Sequence, residues 1–264
     1  MDWIKTFYAQ QTRWVPRVYL GDVTEHHRIR VQVVEQTYDD HSAPLRVLEL
    51  GCGGGQMAAA IADLGHQVTA IDLNEEALQH ACSLASSRPN MAVVGGDFYQ
   101  IELQTQAFDV VCYFDGFGIG TDADQRRLLQ RITTWLSPHG VSLIDIYTPW
   151  YWSRVAGQQM TFDDIKRCYD FDPQACTMLD RWWHTDAPHE AITQVLRCYT
   201  PADLKLLLEG TGLRLTQITP GGGMDSNTGR YVPTAPLKEA MQYLAHLKPC
   251  AEVHPATGDV VDVA

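Results

Sequence analysis

The chain has 264 residues, of which 45% are hydrophobic, so it is long enough to bury one sizeable core. Its formal net charge is −12 and its basic residues are scattered. This argues against nucleic acid as a substrate, because proteins that grip phosphate backbones carry a basic face. The seven cysteines include no close pair of the kind that structural zinc requires, and no apolar run approaches the roughly 20 residues that cross a bilayer. We therefore expect a cytoplasmic protein that binds no metal, no membrane and no nucleic acid.

The first 44 residues are expected to form a helical cap. Apolar residues recur at helical spacing between positions 24 and 38, and Pro16 interrupts the segment that precedes them. The region is rich in aromatic residues, which leaves two interpretations open: the cap packs on the body of the protein, or it forms a lid over a ligand. The aromatic residues are Trp3, Phe7, Tyr8, Trp14 and Tyr19.

Residues 45–264 are expected to form an α/β domain, because apolar runs typical of buried strands alternate there with segments of helical periodicity. Strands are predicted at 45–50, 67–73, 91–94, 108–114, 141–146 and 213–218, and helices at 55–64, 75–86, 122–136 and 201–209. This alternation predicts a Rossmann-like, doubly wound, mostly parallel seven-stranded sheet with helices on both faces. Residues 240–247 fit either the seventh, antiparallel strand or a helix.

Residues 148–198 interrupt the alternation. Two runs rich in β-branched and aromatic residues, 177–184 and 191–199, flank the turn sequence Asp186-Ala187-Pro188-His189. We expect an antiparallel hairpin here, inserted into the α/β domain and laid over the edge of its sheet.

A glycine-rich turn connects the first predicted strand to the first predicted helix. It contains Glu49, Gly51, Gly53 and Gly55, and its glycines let backbone N–H groups at a helix N-terminus approach a polar or anionic ligand. The dinucleotide fingerprint G-x-G-x-x-G needs glycine or alanine where Gln56 stands, so the turn does not match it. The spacing that fits is acidic-x-G-x-G-x-G.

Acidic and aromatic residues follow the next three strands. Asp72 ends the second strand about 20 residues after Gly51, where nucleotide-binding folds place a carboxylate on the ribose hydroxyls. Asp97 and Phe98 follow the third strand, and an acidic group beside an aromatic ring suits the amino edge and the face of adenine. Phe114 ends the fourth strand. Because open α/β sheets bind ligands at the carboxyl ends of their strands, we expect these residues to share one site.

These motifs resemble those of the class I S-adenosylmethionine-dependent methyltransferases, especially bacterial enzymes that act on small molecules. The resemblance implies that Glu49 and the three alternate glycines cradle the methionine part of the cofactor. It implies that Asp72 binds the ribose, that Leu73 flanks the adenine, and that Asp97 and Phe98 contact the adenine edge.

The similarity to this family is clear over residues 45–147 and weaker over 195–219. Residues 1–44 and 148–194 match nothing general in the family. The resemblance therefore implies that these two regions select the methyl acceptor.

The catalytic residue is harder to assign, since methyl transfer from a sulfonium is an in-line displacement whose leaving group is already activated. A general base is needed only when the nucleophile must lose a proton. By position, we expect His184 or Tyr147 to act as base or orienting group toward a nitrogen, oxygen or carbon of a small, partly aromatic molecule. Two interpretations of the hairpin stay open. Trp182 and His184 either line an acceptor pocket together, or Trp182 belongs to the hairpin core and His184 is an exposed residue at the end of a strand. Asp115 either contacts the acceptor or simply ends a strand.

Two other functions stay open at this point. One is an NAD(P)-dependent oxidoreductase on a similar sheet, which Gln56 disfavours. The other is a cofactor-binding protein of this fold that transfers no methyl group. Methylation of RNA or DNA is disfavoured by the acidic charge.

Overall fold

The structure is a computed structural model that describes residues 2–38, 43–225 and 228–250. The helices are α1 (Asp2–Trp14), α2 (Pro16–Tyr19), α3 (Glu25–Glu35), α4 (Gln56–Asp63), α5 (Glu75–Ala85), α6 (Asp122–Trp135), α7 (Pro149–Arg154) and α8 (Pro201–Leu208). The strands are β1 (Arg46–Leu50), β2 (Gln67–Asp72), β3 (Met91–Gly95), β4 (Phe108–Tyr113), β5 (Leu136–Tyr147), β6 (Gln159–Phe162), β7 (Ile165–Asp172), β8 (Thr177–His184), β9 (Ala187–Arg197), β10 (Leu213–Pro220), β11 (Gly223–Met224), β12 (Tyr231–Val232) and β13 (Gln242–Pro249). Within the described ranges, no helix is both long and apolar enough to span a membrane.

Seven strands form one sheet in the order β10-β13-β5-β4-β1-β2-β3. Strands β1 to β5 pair in parallel, and β13 runs antiparallel between β5 and β10. The predicted doubly wound sheet is therefore confirmed, and of the two alternatives for residues 240–247 the strand is correct. The strand order reverses between β1 and β4, which opens a crevice at the carboxyl ends of these two strands.

Both faces of the sheet are apolar because helices cover both. In β1, Leu48 and Leu50 pack into the core cluster that includes Leu128 of α6. Val47 points the other way, into the cluster that includes Ile61 of α4. Burying each such side chain contributes about 1.5–3 kcal/mol. Since alternate residues of a strand share a face, Glu49 lies on the Val47 side, in otherwise apolar surroundings.

Capping residues fix the helix starts close to the strand ends. The side chain of Asn74 accepts hydrogen bonds from the N–H groups of Glu76 and Ala77. α5 therefore begins at the predicted cap, and only two residues separate it from β2. Thr200 and Asp203 form a reciprocal capping box at the start of α8. Such caps keep the connecting loops short, which brings their side chains to one edge of the sheet.

The insertion is larger than the predicted hairpin. β8 and β9 do form a hairpin, but they belong to a four-stranded antiparallel sheet in the order β6-β7-β8-β9. The predicted turn is also too long, because β9 already begins at Ala187 and His189 lies within that strand. Charged residues in β7, whose sequence is IKRCYDFD, hid its alternation. Below, the four strands are called the insertion sheet.

The N-terminal cap spans the gap between the two sheets. On α1, the hydroxyl of Tyr8 accepts a hydrogen bond of 2.8 Å from Gln194 of the insertion sheet. Four residues later, Thr12 accepts one of 3.4 Å from Asn74 at the end of the main sheet. The cap therefore packs on the body and also covers the carboxyl edge of the main sheet.

Candidate active site

The glycine-rich turn follows β1 directly and bends through left-handed backbone at Gly51, Gly53 and Gly55. A Cβ atom on Gly53, whose φ is 52°, would meet nothing within 4 Å. Glycine is favoured there by the backbone angle and not by crowding. A Cβ on Gly55 would lie 2.7 Å from the Cβ of Ala81, so close packing of α4 on α5 excludes any side chain. The turn thus leaves open space beside the backbone of Gly53.

Asp72 faces this turn. One carboxylate oxygen accepts a 2.7 Å hydrogen bond from the N–H of Gly53, and the other accepts a 2.8 Å bond from the N–H of Asn74. Burial raises the pKa of Asp72 above its usual value, while these backbone bonds oppose the rise. The carboxylate is thereby fixed at the crevice, and each oxygen keeps a lone pair for a further donor.

Glu49 lies beneath the turn and is only 3% exposed. One of its carboxylate oxygens has no hydrogen-bond partner within the described part of the chain. Burial, and then the nearby charge of Asp72, raise the pKa of Glu49 to about 8. A buried carboxyl group without a partner destabilises the protein, which points to a role with a bound ligand.

The residues predicted to surround adenine lie along the same edge. Leu73 lines a cleft of about 370 Å³ between α1 and the start of α5. The N–H of Gly96 donates to the backbone carbonyl of Asp72 at 2.9 Å, which brings the loop after β3 next to β2. In that loop, Asp97 accepts hydrogen bonds from its own neighbours Tyr99 and Gln100, so its carboxylate is already partly occupied.

Tyr113 and Phe114 follow each other at the end of β4, and their rings point to opposite sides of the sheet. Phe98 packs edge-on against Tyr113 with ring centres 5.4 Å apart. The Tyr113 ring also lies 3.3 Å from the position that a Cβ on Gly51 would take. Phe114 is buried in the cluster on the α3 side, with the Arg30 guanidinium 5.6 Å from its ring centre. The ring beside the glycine turn is therefore Tyr113, which sequence reasoning missed, and the cofactor role of Phe114 stays a prediction.

Asp115 and Tyr147 meet at the carboxyl ends of β4 and β5. The Tyr147 hydroxyl donates a hydrogen bond to the Asp115 carboxylate. Asp115 holds a left-handed φ of 57° and is reached by solvent, yet desolvation raises its pKa to about 6. Its carboxylate is therefore packed among protein atoms while solvent still reaches it, in a recess that is called the chamber below. Burial and then the Asp115 charge raise the pKa of Tyr147, so its phenol is a donor at neutral pH.

Four further side chains face this chamber from three other elements. Burial is the first cause of the raised pKa of each tyrosine, and the Asp115 charge is a further cause. Arg167 in turn lowers the pKa of Asp115. The polar chamber is defined here by Tyr8 of α1, Tyr19 of α2, Asp115, Tyr147, and Arg167 and Tyr169 of β7. From the sequence, Tyr147 and Asp115 were candidates for the acceptor site, and Tyr8 and Tyr19 were among the aromatic residues of a possible lid. Arg167 and Tyr169 were missed, because they join the others solely through packing of the cap on the insertion sheet.

His184 lies at the end of β8. Among the described residues, it shares no hydrogen bond with any group of the chamber. Its imidazole accepts a 3.2 Å hydrogen bond from the N–H of Asp186 in the adjacent turn. Trp182, two residues earlier, is buried with Phe7 of α1, and the Arg167 guanidinium lies 4.6 Å from its ring centre. Trp182 is thus core between cap and insertion sheet, and the base role of His184 stays a prediction.

Comparison with known proteins agrees with this geometry. Residues 47–140 match the family described as Methyltransferase domain. A putative methyltransferase of Bacillus subtilis, YqeM, is 30% identical over 105 residues, or 39% of this chain and 42% of that protein. These matches support the class I S-adenosylmethionine-dependent methyltransferase family for the matched part of the chain. It spans less than half the length of the curated relatives it matches.

Two solved structures show how far the fold extends. An S-adenosylmethionine-dependent methyltransferase from Clostridium acetobutylicum superposes with a TM-score of 0.69 at 16% identity, over 92% of this chain and 99% of that one. The 1,6-didemethyltoxoflavin-N1-methyltransferase of Burkholderia thailandensis, solved with 1,6-didemethyltoxoflavin and S-adenosylhomocysteine, gives 0.56 at 15% identity, over 95% and 86% of the two chains. At these identities the likeness establishes the fold alone. It covers the cap and the insertion sheet as well as the main sheet.

Proposed function

We propose that this protein transfers a methyl group from S-adenosylmethionine to a nitrogen, oxygen or carbon atom of a small, partly aromatic molecule by in-line displacement. The observation that carries the proposal is the position of Asp72, whose carboxylate is fixed on the glycine turn by the N–H of Gly53. A ribose presents two adjacent hydroxyls, and each oxygen of Asp72 retains a lone pair to accept one of them.

The residues around the turn fit the rest of this cofactor. The open space at Gly53 admits a ligand against the backbone. Glu49 places a carboxyl group with one unpartnered oxygen beneath the turn, where an ammonium group would favour its ionised form. Tyr113 and Phe98 supply aromatic surface along the same edge. We assign the methionine part of the cofactor to the side of Glu49 and the adenosine to the side of Leu73 and Asp97.

Bound S-adenosylmethionine supplies a methyl group on a positively charged sulfur, so the chain's own task is to hold the acceptor in line and exclude water. Tyr8 and Tyr19 cover the chamber from the cap, and the hydrogen bond between Tyr147 and Asp115 fixes its floor. We assign Tyr147 as an orienting donor, since its raised pKa keeps the phenol protonated. His184 remains the alternative base.

The names of the relatives support this proposal without specifying the acceptor. The Burkholderia enzyme acts on 1,6-didemethyltoxoflavin and was solved with S-adenosylhomocysteine, and the Clostridium protein is described as S-adenosylmethionine-dependent. Both superpose over more than nine-tenths of this chain. A small-molecule acceptor enclosed between cap and insertion sheet is consistent with the chamber described above.

Calorimetric titration tests the cofactor half of the proposal. Wild-type protein is expected to bind S-adenosylmethionine and S-adenosylhomocysteine and not NAD⁺ or NADP⁺. Asp72→Asn is expected to lose about 100-fold in affinity for both adenosyl compounds, because it replaces two charge-assisted hydrogen bonds with neutral ones. Asp63→Asn is a matched control at a surface pair with Arg88, and its affinity is expected to be unchanged.

Two outcomes of this titration, and one of a methyl-transfer assay, speak against the proposal. Binding of NAD⁺ in preference to the adenosyl compounds would favour an oxidoreductase. Equal affinities for Asp72→Asn and wild type would remove the ribose assignment. Tight cofactor binding together with no transfer of labelled methyl to any acceptor in a broad small-molecule panel would favour a protein that retains the cofactor without methylating.

A further inference from the structure

The charges around the polar chamber do not balance. Arg167 is held by a bidentate ion pair to Asp180, with N–O distances of 2.7 and 2.5 Å, and Asp180 is fully buried. Arg30, the other arginine near Asp115, is paired with buried Asp145. Each arginine is thus neutralised by a carboxylate of its own.

Asp115 has no ion-pair partner among the described residues. Its hydrogen-bond partner is the Tyr147 hydroxyl, which carries no charge. A carboxylate packed among protein atoms is expected to attract a cation more strongly than one in bulk water, because the lower local dielectric weakens screening. The chamber therefore presents one uncompensated negative charge to whatever enters it.

Aromatic rings surround this charge. Tyr147 stacks on Trp152 with ring centres 5.1 Å apart, and Trp152 meets Tyr169 edge-on at 5.0 Å. Tyr8 and Tyr19 close the opposite side from the cap. The faces of aromatic rings carry partial negative charge and attract cations, most strongly when water is excluded. The Tyr169 ring already has the Arg167 guanidinium 4.5 Å from its centre, so we assign the selection of a cation to Asp115 and the apolar part of the ligand to the surrounding rings.

The chamber adjoins the proposed cofactor site. The Tyr113 ring lies beside Gly51, and its hydroxyl donates a 2.8 Å hydrogen bond to the backbone carbonyl of Gly116, the neighbour of Asp115. The charges of both Asp115 and Asp72 also add to the rise in the pKa of Tyr8, after burial as the main cause. A ligand bound at Asp115 is therefore expected to lie close to the glycine turn.

We propose that the methyl acceptor is a primary or secondary amine on a small, partly aromatic molecule, recognised by Asp115 as counter-charge and by the tyrosines of the polar chamber. This inference rests on the proposed function and specifies its acceptor. Asp115 is then a catalytic residue that contacts the reacting nitrogen, and Tyr147 is a positioning residue that acts through Asp115. Neutral alcohols and anionic carboxylates gain nothing from this arrangement.

The amine enters as an ammonium ion and gives one proton to solvent, which leaves a lone pair on nitrogen. That lone pair forms the N–C bond to the methyl carbon while the C–S bond breaks and its electron pair stays on sulfur. Positive charge moves from sulfur to nitrogen, next to the Asp115 carboxylate, which stabilises the charge as it develops. The product leaves as a methylated ammonium ion.

Calorimetry on the complex with S-adenosylhomocysteine tests the inference without relying on turnover. The probes are phenethylamine, phenethyl alcohol and phenylpropionate, which share one ring and a similar length. Wild-type complex is expected to bind the amine most tightly. Asp115→Asn is expected to weaken amine binding about 10- to 100-fold, because it converts a charged hydrogen bond into a neutral one. Asparagine tolerates the left-handed backbone at this position.

Asp163→Asn is the matched control. Asp163 is an exposed aspartate with a left-handed φ of 50° in the β6–β7 turn, and its substitution is expected to leave amine binding unchanged. Binding of S-adenosylhomocysteine is measured first in each variant and is expected to equal that of wild type.

The outcomes separate this inference from the proposed function. If wild-type protein does not bind S-adenosylhomocysteine, the proposed function itself is refuted. With that binding intact, the amine inference is overturned if the alcohol or the carboxylate binds as tightly as the amine, if no amine binds, or if Asp115→Asn keeps wild-type amine affinity. Selective amine binding that is lost in Asp115→Asn and retained in Asp163→Asn supports it.

Discussion

Replacing Glu49 by glutamine is expected to stabilise the ligand-free protein at neutral pH. Glu49 is 3% exposed and its pKa rises from 4.5 to about 8 on folding, chiefly because burial disfavours the charged form. When the pKa of a carboxyl group is higher in the folded state, the group stabilises the fold fully below its unfolded pKa. That contribution to the unfolding free energy is lost as pH rises toward the folded pKa. Between pH 4.5 and pH 7 the loss is about 3 kcal/mol, at 1.36 kcal/mol per unit.

Glu49→Gln removes this penalty because its amide does not ionise. The variant is expected to match wild type near pH 4.5 and to exceed its unfolding free energy by about 3 kcal/mol at pH 7, a rise of about 6 °C or more in Tm. It is also expected to bind S-adenosylmethionine more weakly, since the charge beneath the glycine turn is gone. Stability and binding then change in opposite directions, as is common at functional sites.

Thermal unfolding of ligand-free protein at a series of pH values from 4.5 to 8 measures this effect. Glu102→Gln, at an exposed position, is the matched control and is expected to follow the wild-type curve. A difference in Tm between Glu49→Gln and wild type that does not change with pH would refute the reasoning, because the penalty would then not arise from ionisation of Glu49.

Three further predictions concern the cap, the insertion sheet and the chamber. Gly54→Ala is expected to displace the cap and lower cofactor affinity in calorimetry, because its Cβ would lie 2.1 Å from the Tyr19 carbonyl oxygen; unchanged affinity would contradict this. Asp180→Asn is expected to cost about 3 kcal/mol or more in chemical denaturation by leaving a buried arginine unpaired, whereas Asp109→Asn, at a more exposed pair, is expected to cost about 1 kcal/mol or less. Amine binding to the S-adenosylhomocysteine complex is expected to weaken as pH falls through about 6, where Asp115 becomes protonated; a flat profile between pH 5 and 7 would contradict the assignment.

The main sheet and the glycine turn could be predicted because their signals are local in sequence. Uninterrupted apolar runs indicate strands that are covered on both faces, and Asn74 and Thr200 mark helix starts by their capping chemistry. The secondary structure of residues 240–247 was open, because an apolar segment of that length fits a helix or a strand. Pairing with β5 and β10 decided it.

The acceptor side could not be read from the sequence because it is assembled by long-range packing. β7 was missed since Lys166, Arg167 and Asp170 break its alternation, although Arg167 is later buried by its ion pair. Tyr8 and Asp115 are more than 100 residues apart and meet only when α1 spans the two sheets. Strand spacing left Trp182 either in an acceptor pocket or in the hairpin core, and its packing against α1 decides for the core.

A crystal structure of the protein with S-adenosylhomocysteine would show where the cofactor binds. We expect one ligand at the carboxyl edge of β1 and β2, with both ribose hydroxyls within hydrogen-bond distance of the Asp72 carboxylate and the amino acid part on the side of Glu49. A ligand whose ribose lies away from Asp72, or crystals grown with saturating ligand that show none at the glycine turn, would contradict it.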